Sequence, residues 1–257
     1  TSLPTEQPSS LPSTAVPSIS PSLSANDLLY VKVDAWLESP LEAIKIYGDI
    51  NEWDTSKVTS MEKLFAFHRN SKAKLFNDDI SNWDVSSVTN FHYMFDGSIL
   101  FDQPLNSWDV SSAITMSFMF RDAEAFNQPL DMWDVSSVRD FNFMFDGSIL
   151  FDQPLNSWDV SSVRSMYGMF RKTKAFNQPL DMWDVSSVEN FKMMFDGSIL
   201  FDQPLNSWDV SSAINMYGMF RDAEAFNQPL DMWDVSSVTA FNYMFDGSIL
   251  FDQPLNS

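Results

Sequence analysis

A chain of 257 residues that is 44% hydrophobic, with 23 Phe, 15 Met and 9 Trp, has ample material for a core, which excludes disorder for its repeated part. The formal charge of −20, from 35 acidic and 15 basic side chains, repels nucleic acid and leaves cations, basic proteins or neutral glycans as compatible partners. There is no cysteine, so disulfides and thiol chemistry are absent, and no apolar run approaches the ~20 residues of a membrane span.

Residues 1–25 are rich in Ser, Thr and Pro, with Pro4, Pro8, Pro12, Pro17 and Pro21 at near-regular spacing. Proline fixes φ and the segment cannot bury a core, so an extended, polyproline-like linker is predicted. The same composition suits an O-glycosylated stalk, with Ser9, Ser10, Ser13, Thr14, Ser18, Ser20 and Ser22 as acceptors, which points outside the cell. No signal peptide precedes it, which fits a mature or trimmed chain.

Residues 26–52 have helical periodicity instead, with Leu28, Leu29, Val31, Val33, Trp36 and Leu37 ahead of Ser39-Pro40. Asn26 or Asp27 is the expected N-cap, and Pro40 opens a second short helix that ends near Gly48. Such a helical cap covers the apolar end that the first coil of a repeat array otherwise exposes.

From 53 to 257 the chain is a repeat. Trp-Asp recurs at 53, 83, 108, 133, 158, 183, 208 and 233, and every spacing after the first is 25 residues. The first spacing of 30 reflects a five-residue insertion within 57–79, expected to be a bulging loop with His68, Arg69 and Lys72. Within a unit, Leu105, Trp108 and Val110 have the spacing of a leucine-rich repeat, whose short strand sends alternate side chains inward. Ser111 and Ser112 then read as a helix N-cap ahead of Ala113, Met116, Met119 and Phe120, which follow at steps of three and four. The expectation is an α/β repeat: a leucine-rich-repeat-like solenoid with one short parallel strand and one helix per coil.

A period of 50 residues lies over the period of 25, and Asp96, Arg121, Asp146, Arg171, Asp196, Arg221 and Asp246 alternate in sign. Stacked at 25-residue register they form a solvated inter-coil charge ladder, each exposed pair contributing ~0–1 kcal/mol. A second column comprises Asp54, Asp84, Asp109, Asp134, Asp159, Asp184, Asp209 and Asp234. Like charges on strands ~4.8 Å apart repel, so each carboxylate either accepts hydrogen bonds from the following Ser-Ser N–H groups or shares a divalent cation, with calcium as the candidate. Asn106, Ser107, Asp131, Met132 and their copies flank that column as a polar lattice suited to glycans or to another repetitive protein, or simply to water.

The phrase Phe-Asn-Gln-Pro-Leu-Asp-Met-Trp-Asp-Val-Ser-Ser-Val, followed by Met-x-x-Met-Phe, resembles the BspA-like leucine-rich-repeat surface proteins over about residues 45–257, and 34–58 is similar to the cap and first coil of algal members. The resemblance implies a secreted or surface-anchored right-handed solenoid used in adhesion or extracellular assembly, with no shared active site.

Catalytic chemistry finds no purchase. His68 and His92 are the only histidines, and no glycine-rich phosphate loop, zinc spacing or calcium loop is present. The expected function is non-enzymatic, extracellular or cell-surface adhesion to proteins or glycans, with no cofactor beyond calcium. The alternative is a filament subunit joined head to tail to copies of itself, because the chain ends at Ser257 without a C-terminal cap.

Overall fold

The computed structural model describes residues 23–254. The proposed glycan acceptors Ser9, Ser10, Ser13, Thr14, Ser18, Ser20 and Ser22 lie outside the described residues.

Helix α1 (Ala25–Glu38) begins at Ser24, not at Asn26 or Asp27: the Ser24 hydroxyl accepts the Asp27 N–H at 3.1 Å. Asn26 is used elsewhere, accepting the Thr59 N–H at 2.9 Å and so tying the helix to the first coil. Pro40 opens α2 (Pro40–Tyr47), and Gly48 ends it at φ 77°, a left-handed angle that glycine adopts without a Cβ penalty. Trp36 of α1 packs edge-on against Trp53 at 5.8 Å and donates its indole N–H to Asp78 at 2.8 Å. The insertion forms a short 3-10 turn, Ser71–Leu75, and fastens itself to α1. Arg69 reaches Asp34 at 2.8 Å, and Lys72 reaches Glu38 at 2.6 Å.

Beyond the helices the chain is a stack of coils in 25-residue register, and the expected strand-plus-helix leucine-rich-repeat coil does not form. Among the described residues the only β structure is a file of isolated parallel bridges, Ser60↔Asn90↔Thr115↔Asp140↔Ser165↔Asn190↔Asn215↔Ala240. At Trp108-Asp109-Val110 no strand forms because the donors are used locally: Trp108 N–H goes to Leu105 C=O at 3.0 Å and Ala113 N–H to Val110 C=O at 2.8 Å. Trp108 and Val110 are nevertheless fully in the core.

No helix follows Ser111-Ser112 because the backbone N–H groups alternate between two directions. In residues 91–98 the N–H groups of Phe91, Tyr93, Phe95 and Gly97 donate to the next coil, at Thr115, Ser117, Met119 and Arg121 (2.7–3.1 Å). Those of Met94, Asp96 and Ser98 close four-residue turns onto Phe91, Tyr93 and Phe95 (3.0–3.2 Å). Residues with positive φ sit at the joints, Tyr93 (57°) and Gly97 (72°) in this coil, Phe118 (61°) and Asp122 (53°) in the next. A left-handed residue every fourth position interrupts any right-handed helix. Overlapping four-residue turns still bury residues at steps of three and four, which is why the sequence reads as helical.

The core is a set of axial files. Phe95, Phe120 and Phe145 stack with centroids 5.5 and 5.7 Å apart, and a second file, Phe101, Phe126 and Phe151, repeats at 6.0 Å. Offset stacking of this kind adds to simple area burial. From Trp83 on, each tryptophan donates its indole N–H to the carbonyl of the preceding coil's apolar residue, as Trp133 does to Leu105 at 2.9 Å. Buried hydroxyls do the same, Ser98 to Phe65 C=O at 2.8 Å and Thr173 to Phe145 C=O at 2.7 Å. Among the described residues no buried side-chain polar atom lacks a partner.

Candidate functional site

The carboxylate column is built of closed local turns. Asp109 Oδ1 accepts the Ser111 N–H at 3.1 Å and the Ser111 hydroxyl at 2.6 Å. Asp54, Asp84, Asp134, Asp159 and Asp184 repeat both contacts, and Asp209 and Asp234 repeat the N–H contact. So the serines do not cap helices; they satisfy the aspartates. The hydroxyl bond, then the N–H bond, holds the carboxyls of Asp54, Asp84, Asp134 and Asp159 below the usual range. Among the described residues no three His, Asp or Glu side chains converge as a metal-ligating group.

The charge ladder is not solvated on its acidic side. Asp96, Asp146 and Asp196 are buried, while the arginines between them keep an exposed edge. Arg121 grips Asp96 at 2.6 and 2.9 Å, and Arg221 grips Asp196 at 2.9 and 2.6 Å. Arg171 bridges Asp146, at 3.1 and 3.3 Å, and Asp196, at 3.3 Å. Burial pushes the Asp146 carboxyl up to about 6, against the pull of Arg171. Asp246 lies exposed in the last described coil, and His68 joins the other end of the ladder, 2.8 Å from Asp96.

One further ladder was not anticipated. Asn77, Asp102, Asn127, Asp152, Asn177, Asp202, Asn227 and Asp252 form an axial file in which each Oδ1 accepts the next member's backbone N–H at 2.9 Å. Neutral and charged members alternate, which keeps carboxylates two coils apart. The signal was the alternating Asp/Asn before each Gln-Pro. Asn106 pairs with Asp131 at 2.9 Å, as Asn156 does with Asp181 and Asn206 with Asp231, so the predicted polar lattice joins coils two by two. Met132, Met182 and Met232 stand exposed beside it.

The internal repeats differ from one another in few places. Residues 94–112, 144–162 and 194–212 are identical, and so are 125–138, 175–188 and 225–238. Differences fall at 89–93, 113–118 and their copies, and at 122–124, where Asp-Ala-Glu of the first and third copies is Lys-Thr-Lys in the second. The first two sets straddle the bridge file. The residue before each bridge residue is exposed in every coil and reads Thr89, Ile114, Arg139, Arg164, Glu189, Ile214, Thr239. Half-buried residues follow it: His92 and Tyr93, Phe118, Asn142 and Phe143, Tyr167, Lys192 and Met193. Tyr93 stacks on Phe118 at 4.3 Å and Phe118 on Phe143 at 4.9 Å, and the Lys192 ammonium lies 4.9 Å from the Tyr167 ring. Burial pushes the Asp140 carboxyl up and the His92 imidazole down. Apart from the change at 172–174, the variable positions thus gather into one axial stripe carrying aromatic, basic and amide groups.

This geometry defines a tandem-repeat protein whose coils are made of turns. The chain belongs to the family described as Mycoplasma protein of unknown function, DUF285, whose model matches residues 38–157 and 179–257. No curated protein and no solved structure matches the chain. This replaces the resemblance to BspA-like leucine-rich-repeat surface proteins, since neither that family nor its strand-and-helix coil is found. Among the described residues no helix is long and apolar enough to cross a membrane.

Proposed function

We propose that the chain is a non-enzymatic interaction scaffold, working in adhesion outside the cell, and that the stripe along the bridge file is its recognition face. One observation carries this reading. The copies tolerate no difference on the Asp-turn, Asn/Asp-ladder and phenylalanine faces, yet differ at almost every outward position of the stripe. Identical coils need identical packing, whereas a coil's exposed positions are free to specialise. Half-buried aromatic side chains and the two arginines without an ion-pair partner among the described residues, Arg139 and Arg164, stand there, and these residue types dominate binding energy in interfaces. The Ser/Thr/Pro-rich segment 1–25 supports an extracellular setting by composition.

The test replaces stripe residues of the middle coils by their counterparts in sibling coils. Positions 139, 140, 142, 143 and 189, 190, 192, 193 take the residues of 239, 240, 242 and 243, and 164 and 165 take those of 214 and 215. The natural and levelled chains are compared on immobilised neutral and sulfated polysaccharides, on a basic protein and on the chain itself. Binding by the natural chain that falls at least about tenfold in the levelled one, a loss of ~1.4 kcal/mol, is the expected result. The triple change Met132→Ser, Met182→Ser, Met232→Ser, on the other face, should leave it intact. Equal binding by natural and levelled chains, or binding to none of these probes, overturns the reading.

A further inference from the structure

Of the six arginines, Arg69, Arg121, Arg171 and Arg221 lie within ion-pairing distance of carboxylates. Among the described residues Arg139 and Arg164 have no such partner, and the two are neighbours in the stack, the Arg164 N–H donating to Arg139 C=O at 2.8 Å. Both are exposed. Two unpaired guanidinium groups one coil apart repel each other, and the other coils hold Thr, Ile or Glu at this position. The pair lines an open groove together with Ser137 and Ser162. The hydroxyls of Ser136 and Ser161, also in the groove, are committed to Asp134 and Asp159 at 2.6 Å, so the exposed Ser137 and Ser162 are the donors left for a ligand.

We propose that this groove is a binding site for a single tetrahedral oxyanion, a sulfate or phosphate ester displayed by the partner of the scaffold. The proposal rests on the recognition-stripe reading and specifies its ligand at one point. Guanidinium groups offer planar pairs of N–H donors that match oxyanion geometry, and two of them with two hydroxyls supply more donors than a two-oxygen carboxylate uses. Arg164 spends one donor on Ser187 C=O at 3.3 Å, which fixes its orientation without neutralising it. The site spans two coils only. Glu189 follows Arg164 in the same file, and the Asp134 and Asp159 turns border the groove, so an extended polyanion meets repulsion on both sides while one ester group does not.

The experiment follows the arginine Nε–H signals by NMR during titration of the full chain with sodium sulfate, sodium phosphate and, as the carboxylate control, sodium acetate, at constant ionic strength. Saturable shifts confined to Arg139 and Arg164, with sulfate or phosphate and not with acetate, are expected. In the variant Arg139→Glu, Arg164→Ile the saturable response of the Ser137 and Ser162 backbone signals should be lost, while Arg121, Arg171 and Arg221 stay unshifted as in the natural chain. Both substitutions place residues that sibling coils already accommodate, at 189 and 214, so folding is retained. Lys172→Ala, Lys174→Ala removes two cationic charges elsewhere and should change nothing. A sulfate monoester and a phosphate monoester of one sugar, titrated in turn, distinguish the two sources. Linear shifts, equal response to acetate, or saturation that survives the arginine variant overturns the proposal. Loss of this site with partner binding intact would remove only the oxyanion, whereas unchanged partner binding by the levelled stripe would remove the scaffold reading itself.

Discussion

Arg121 holds Asp96 across one coil step through two near-parallel hydrogen bonds, Nε to Oδ1 at 2.6 Å and Nη2 to Oδ2 at 2.9 Å. Asp96 is buried, so removing the arginine leaves a carboxylate with His68 as its remaining side-chain partner. Arg121→Met is therefore expected to destabilise the stack by about 2–3 kcal/mol, somewhat below the cost of breaking a fully buried pair because the guanidinium keeps an exposed edge. Arg121→Lys should recover part of that, since an ammonium restores charge but not the bidentate grip. Urea unfolding of the three chains checks the order; a methionine variant within 0.5 kcal/mol of the natural chain (about the scatter of surface substitutions) sinks it.

Asp146 sits in the same ladder with a weaker grip, its oxygens 3.1 and 3.3 Å from a single Arg171 nitrogen. Burial raises its carboxyl from 3.8 to about 6. A folded-state value above the unfolded one means that folding favours the protonated form. The contribution is fully present below pH 4 and is lost as pH rises through 6, a linkage of at most about 3 kcal/mol over that interval. Asp146→Asn should remove this dependence. The natural chain loses stability relative to the variant between pH 4 and 7, and parallel stability curves for the two would contradict the assignment.

Gly147 explains part of the 50-residue period. Its φ is 75°, and a Cβ built on it falls 2.2 Å from Asp122 Oδ1 of the preceding coil. In this left-handed file Gly alternates with Asp122, Lys172 and Asp222, so each side chain lies over a glycine. Gly147→Ala should cost about 1–2 kcal/mol from the left-handed backbone alone. Adding Asp122→Ala removes the collision but not the strain, so the double variant should be more stable than the sum of the single effects. Strict additivity in a double-mutant cycle would show that the two residues do not interact.

These alternations also show what was legible. The 25-residue register, the inward Trp, Val, Met and Phe positions and the Asp/Arg column could be read because each is a side-chain pattern. The coil's backbone could not. Leu105, Trp108 and Val110 have the spacing of a strand and Met116, Met119 and Phe120 that of a helix, but the deciding feature is the left-handed joint at Phe118, a residue that gives no sign of positive φ. The Asp-Gly at 96–97 and its copies, and the glycines that stand in place of Phe118 at 168 and 218, are the marks these joints leave in the sequence. The variable stripe is legible as well, in the differences at 89–93 and 113–118 among otherwise identical copies.

Trp133 joins two coils by packing and by one hydrogen bond, donating its indole N–H to Leu105 C=O at 2.9 Å. Trp133→Phe keeps a ring in the file but leaves that carbonyl without its donor and opens a small void. A loss of about 2–3 kcal/mol is expected from the two effects together. Because each coil contacts only its neighbours, the destabilisation should appear first as increased amide exchange in the two coils around 105–133, before global unfolding. Uniform exchange along the whole stack would instead indicate a single cooperative unit.

Asp134 accepts the Ser136 N–H at 3.0 Å and the Ser136 hydroxyl at 2.6 Å on one oxygen. A divalent cation would have to compete with both donors, and the next carboxylate, Asp159, is engaged in the same way. Melting in chelator and in excess calcium is accordingly expected to give the same midpoint. The hydroxyl and N–H bonds hold the carboxyl below its ordinary value, so the turn contributes fully above the unfolded value near 4 and loses that contribution as pH falls through the folded one. Asp134→Ala should cost about 0.5–1 kcal/mol at neutral pH and little in acid, and Asp134→Asn less, because an amide oxygen still accepts both bonds. A calcium-dependent rise in midpoint that disappears in the double variant Asp134→Asn, Asp159→Asn would reverse the assignment and make the column a cation site.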